Sequence, residues 1–106
     1  MIVVTTESIP GRKITKLFGL VRGNTIRTRH LGKDIMAGLK TLVGGEISDY
    51  TKMMAESREQ ALDRMIEDAE GLGANAIVCA RFTTASMMQG AAELLAYGTA
   101  VVCEEL

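Results

Sequence analysis

The chain has no tryptophan, two tyrosines, two phenylalanines, one histidine, one proline and two cysteines in 106 residues. So few aromatic rings leave little on which nucleic-acid bases or sugars could stack. A net charge of −1, with 24% charged residues, gives no general pull toward nucleic acid or an anionic membrane. Apolar runs stop short of the roughly 18 residues of a membrane span. The opening MIVVTTESIPGRK lacks both the charged region and the long apolar core of a signal peptide. A cytoplasmic location is therefore expected, and with it reduced thiols. Cys79 and Cys103 show no CxxC spacing and have no histidine nearby in sequence, so a single chain is not expected to build a zinc site. No nucleophile and base stand at a recognisable spacing, and the glycine-rich pieces match neither a P-loop nor a dinucleotide fingerprint; no enzymatic activity is expected.

What is present reads as one domain over residues 1–106, built on an amphipathic helix at 48–73. At 100° per residue, Tyr50, Met54, Ala61, Leu62, Met65, Ile66, Ala69 and Leu72 share one side, and Lys52, Glu56, Glu59, Asp63, Glu67 and Glu70 lie opposite. Ser48 suits the N-cap, and Gly73 suits the left-handed residue that ends a helix. Arg58 falls inside the apolar arc. Either its stem packs while its head reaches water, or it crosses an interface to a carboxylate such as Glu93 or Glu104. A shorter helix is predicted at 34–43, where Ile35, Met36, Leu39, Leu42 and Val43 keep helical spacing before Gly44 and Gly45.

The remainder reads as strand. Residues 2–6 form a β-branched run that ends at Pro10-Gly11. Residues 14–29, interrupted by Gly19 and Gly23, make one long bent strand or two in succession. Residues 75–88 and 92–103 form a long hairpin turning at Gln89-Gly90. In the hairpin, period-two alternation puts Ala76, Val78, Ala80 and Phe82 on one face and Ile77 and Cys79 on the other. It likewise opposes Leu95, Tyr97, Val101 and Cys103 to Leu94, Ala96, Ala100 and Val102. Neither face is polar. One helix covers one side of a small sheet, so the other side needs a further cover, most simply another copy of the chain.

Three groups of side chains are candidates for a site. Arg22, Arg27, Arg29, His30 and Lys33 gather before the short predicted helix, where they could bind a phosphate or carboxylate or simply form a solvated basic edge. A hairpin would bring Cys79 toward Cys103, either as small buried hydrophobes or as thiolates for a soft metal ion. Met87 and Met88, among seven methionines, stand where a hairpin tip should be exposed and suit an interface with a sister subunit, as do Arg58 and Tyr97.

Several separated blocks resemble the YbjQ-like family of small prokaryotic proteins: Pro10-Gly11, the run from Arg29 to Asp34, Gly44-Gly45-Glu46 before Tyr50-Thr51, Arg58, the run from Leu72 to Ala76, Arg81-Phe82, and the run from Tyr97 to Val101. The resemblance implies a small α+β subunit with an antiparallel-rich sheet wrapped against one long helix and one short helix, similar to the dodecin-like arrangement. It also implies a ring-shaped oligomer, a homopentamer. The family carries a heavy-metal-binding label and no assigned function. Cys79 occupies a position where the family pattern implies a glycine, and Thr83 one where it implies an aspartate.

Overall fold

The computed structural model describes residues 1–28, 45–88 and 91–106. The helix predicted at 34–43 and the turn at Gln89-Gly90 lie outside the described residues. Four strands and one helix follow in the order β1 (Ile2–Val3), β2 (Arg12–Thr28), α1 (Gly45–Leu72), β3 (Ala76–Met88) and β4 (Ala91–Glu105). They form one sheet in the order β1-β3-β4-β2, with β3 and β2 antiparallel to β4 and the short β1 parallel to β3. The fold is α+β.

Helix α1 begins three residues before Ser48, which therefore sits inside the helix instead of capping it. Its end is as the sequence implies. Gly73 takes φ 92°, its amide donates to the carbonyl of Glu70 at 3.0 Å, and the amide of Ala74 donates to Ala69 at 3.1 Å. This paired closure uses carbonyls that the last turn would otherwise leave bare. The helix lies across β2 and β4 and buries Ala61, Met65 and Ala69 against Val21, Ile77, Ala96 and Ala100. Small side chains dominate that contact, so the backbones come close. A Cβ built on Gly23 would overlap the carbonyl of Ala61 and the amide of Met65. Leu72 departs from the expected apolar arc: it stands at the helix's last position, 47% exposed.

Strand β2 is a single strand with register shifts between Ile14 and Lys16 and between Leu17 and Gly19. Gly19, at φ 102°, belongs to the second irregularity. Strand β3 has its own shift between Val78 and Arg81, and this corrects the sequence reading of its faces. Ile77 pairs with Ala100 and Phe82 with Ala96, so the extra residue moves Phe82 onto the helix-side face with Ile77. Cys79 sits in that irregularity with φ 56°, the only non-glycine residue of positive φ among those described.

The opposite, outer face has a second small core at one end. Ile9, Ala76, Val78, Val101 and Cys103 cluster there, with Ile2, Val4 and Cys79 packed against them. The N-terminal arm supplies the cover. The Val4 amide donates to Ile77, the Ala80 amide to Val4 and the Cys79 amide to Thr6, all at 2.9–3.0 Å. The arm thus continues beyond β1 along the edge of β3 until the Cys79 irregularity turns it away.

Candidate functional site

Beyond that small core the outer face is open, and apolar side chains stand on it among charged and polar ones. Residues directly opposite in an antiparallel pair share a face. Leu17 pairs with Val101, Leu20 with Thr99, Arg22 with Tyr97, Asn24 with Leu95 and Ile26 with Glu93. Leu17 is 69% exposed, Leu20 67% and Ile26 52%. Leu95 and Tyr97 beside them are half-buried. No described element of the chain covers this strip. Tyr97 lies between two arginines, since Arg81 of β3 is its other cross-strand neighbour. Arg81 itself is turned toward the arm, donating to the carbonyl of Thr5 at 2.8 Å.

At the β2 edge a cleft of about 880 Å³ runs between the sheet and α1, lined by Arg22, Arg64, Glu67, Asp68, Glu93 and Leu95 among others. The helix closes the strand edge here. Asp68 accepts the backbone N–H of Arg22 at 3.2 Å, and Arg64 donates to the carbonyl of Asn24. The Asn24 amide donates to Glu93 at 3.0 Å. With two guanidiniums against three carboxylates, the cleft does not favour an anion.

The basic group expected from the sequence is divided by strand alternation. Arg22 belongs to the outer face, whereas Arg27 reaches the helix: its Nε donates to Ser57 Oγ at 2.7 Å and its Nη2 to Gln60 at 3.1 Å. Arg29, His30 and Lys33 lie outside the described residues. Ser57 is 1% exposed and was not marked by the apolar pattern. It donates from Oγ to the Met53 carbonyl, and its own carbonyl accepts from Thr25 Oγ1, each at 2.9 Å. Buried Thr25, half-buried Arg27 and buried Ser57 fasten β2 to α1 by polar contacts, a role that only the serine's position on the apolar arc could have signalled.

The register also separates the two cysteines. Ala76 pairs with Val101, which places Cys103 two residues to one side and Cys79 three to the other. Five residues at about 3.3 Å each is roughly 16 Å. A disulfide needs Cα atoms within about 7 Å, and thiolates sharing one ion must lie closer still to each other. The two thiols of one chain therefore cannot share an ion, contrary to the approach expected from a hairpin. Cys103 is 2% exposed, with an Nη1 of Arg12 3.9 Å from its sulfur. No group of three or more His, Cys, Asp or Glu side chains suited to a metal occurs among the described residues. Arg58 is exposed on α1 and Tyr97 lies on the open strip. Met87 and Met88 end β3, and their side chains lie outside the described set.

The fold is a small α+β domain with one sheet face covered by the helix and the other partly open. No described helix is long and apolar enough to cross a membrane. The sequence matches the family described as "Putative heavy-metal-binding" over residues 1–104, and the chain belongs to this YbjQ family. It is similar to a UPF0145 protein of Clostridioides difficile strain 630, with 59% identity covering 99% of this chain and 94% of that one. A UPF0145 protein of Methanosarcina acetivorans is 58% identical, covering 95% of each chain. Among solved structures, a DUF74-family protein of unknown function from Pediococcus pentosaceus superposes with TM-score 0.65 at 16% identity over 98% of both chains, a likeness of fold.

Proposed function

We propose that the protein works as a homo-oligomer whose copies cover one another's outer sheet face, and that its role is binding or assembly instead of catalysis. The open strip of Leu17, Leu20, Leu95 and Tyr97 carries the reading. Burying a leucine fully contributes about 1.5–3 kcal/mol, so leaving two exposed forgoes a large share of a small domain's stability. The chain's dimensions agree. It measures 58 × 24 × 18 Å with a radius of gyration of 17.4 Å, against about 13 Å for a compact domain of this length. It exposes 7085 Å² where a folded monomer of 11.4 kDa exposes about 5,800 Å². The excess exceeds the roughly 800 Å² per partner of a standard interface. A heterologous contact whose rotation closes makes a ring, and a ring of five copies is what the family resemblance implies.

Light scattering on purified protein tests the reading. A mass several times 11.4 kDa is expected, falling to that of one chain in the double variant Leu17→Glu, Leu20→Glu. A wild-type protein monodisperse at the single-chain mass would end it.

A second reading, soft-metal binding, is favoured by the family's description. Because Cys79 and Cys103 of one chain are too far apart, the thiols would have to come from different copies. Metal titration of reduced protein against a Cys79→Ser, Cys103→Ser variant separates the cases. An unchanged stoichiometry removes the thiols from any site.

A further inference from the structure

The cleft between β2 and α1 brings five charged side chains together: Arg22 and Glu93 from the sheet, and Arg64, Glu67 and Asp68 from the helix. Arg64 and Asp68 stand four apart on α1, the spacing at which opposite charges on a helix usually meet. Here they do not. The single ion pair among the described residues joins Arg12 to Glu105, away from the cleft. Arg64 and Asp68 hold on to β2 instead, through the carbonyl of Asn24 and the N–H of Arg22, and the Asn24 amide holds Glu93.

Both walls are fixed by these bonds, yet much of their hydrogen-bonding capacity is unused. Asp68 accepts through Oδ2 and Glu93 through Oε2, which leaves the second oxygen of each without a partner among the described residues. Arg22 contributes only its backbone N–H. Its whole guanidinium has no hydrogen bond or ion pair among the described residues, and neither has the carboxylate of Glu67.

That inventory selects a ligand. About 880 Å³ accepts a small molecule, and Leu95 is the one apolar side chain among the described lining residues, so a hydrocarbon has little to rest on. A simple anion meets three carboxylates. A metal ion finds no set of three side chains suited to it among the described residues. A simple amine leaves the Arg22 guanidinium unmatched. Two guanidiniums against three carboxylates give the lining one negative charge in excess. The complementary molecule therefore carries a carboxylate for the arginine, cationic groups for the acids, and one net positive charge.

We infer that this cleft is a binding site for a cationic amino acid, a molecule of the lysine class with one carboxylate and two ammonium groups. The ligand carboxylate pairs with Arg22, whose guanidinium offers a two-pronged fit, and the ammonium groups take Glu67 and the unused oxygens of Asp68 and Glu93. All the described lining residues belong to one chain, so the site does not depend on the homo-oligomer reading. Arg22, Arg64, Glu67 and Asp68 are exposed, so salt screens the attraction.

Calorimetric titration of the intact protein at low ionic strength tests the site with three probes: free lysine, cadaverine, which lacks the carboxylate, and norleucine, which lacks the second ammonium group. Saturable lysine binding is expected, at least about tenfold tighter than that of either analogue. Added salt should weaken it. Arg22→Gln should lower lysine to the level of cadaverine, and Glu67→Gln should weaken lysine and cadaverine alike. Neither side chain has a contact to lose within the chain, so both variants are expected to keep the wild-type circular dichroism. Absence of saturable lysine binding up to about 10 mM overturns the inference. An affinity for either analogue equal to that for lysine does the same, as does full lysine binding in both variants.

Discussion

The side chain of Asn75 pairs with the backbone of Cys103 as though it were a strand. Its Nδ2 donates to the Cys103 carbonyl and its Oδ1 accepts the Cys103 N–H, each at 2.8 Å. Its own amide donates to Val101 at 3.1 Å, so one residue between α1 and β3 satisfies three groups of β4 and its end. Asn75→Ala is expected to lower unfolding stability by about 1–3 kcal/mol, the usual effect of stranding partly buried backbone groups. Asn75→Asp should be no better, because a carboxylate oxygen would face the Cys103 carbonyl. Urea unfolding of both variants checks this.

Gly23 is held by proximity. Any Cβ there would overlap α1 backbone at Ala61 and Met65, and the carbonyl carbon of Arg64 would lie 2.7 Å away. Helix backbone cannot yield as a flexible side chain can. Gly23→Ala should therefore destabilise by at least about 2 kcal/mol, and Gly71→Ala, where nothing lies within 4 Å, should leave stability nearly unchanged or slightly raised.

Cys79 holds a left-handed conformation that costs a side-chain-bearing residue about 1–2 kcal/mol. Glycine removes that strain and restores part of the loss through its own greater unfolded-state freedom. Cys79→Gly is expected to raise thermal stability by about 0.5–1 kcal/mol, read from the shift in melting temperature.

The separation of the thiols gives a chemical prediction. Mild oxidation of dilute protein should yield no disulfide within a chain, since the register holds the cysteines roughly 16 Å apart. Intact mass after alkylation should show two modified thiols per chain, with half-buried Cys79 reacting before Cys103. A mass lower by two hydrogens with neither thiol alkylated would contradict the register.

Ser57→Ala removes the acceptor of Arg27 Nε and the donor to Met53. Because Arg27 is only half-buried, water can replace part of the loss, and about 1–2 kcal/mol is expected. Ser57→Thr should recover part of it by keeping the hydroxyl.

The long helix, its glycine closure, the extended hairpin and the two-faced apolar strands were legible because each rests on a local rule of period or capping. Phe82 shows where such rules fail. One inserted residue at Cys79 reverses the alternation downstream, and nothing in periodicity announces an insertion, although the implied glycine at that position was a sign of unusual backbone. Arg22 and Arg27 appeared to form one basic group because adjacency in sequence hides alternation in a strand. Asn75 and Ser57 escaped notice because polar residues that satisfy backbone leave no hydrophobic pattern. The approach of Gly23 to Ala61 depends on how two distant segments meet.

The arm that lines β3 has a bearing on how the molecule comes to be made. Ile2 pairs with Ala76 and Val3 with Ile77, partners more than seventy positions downstream. Residues 2–4 therefore stay unpaired until β3 has formed, and Ile9 cannot seat until β4 brings Val101 and Cys103 to it. Docking of the arm is a contact between distant parts of the chain, and such contacts form late, so the second small core is expected to close after the helix and the hairpin have met.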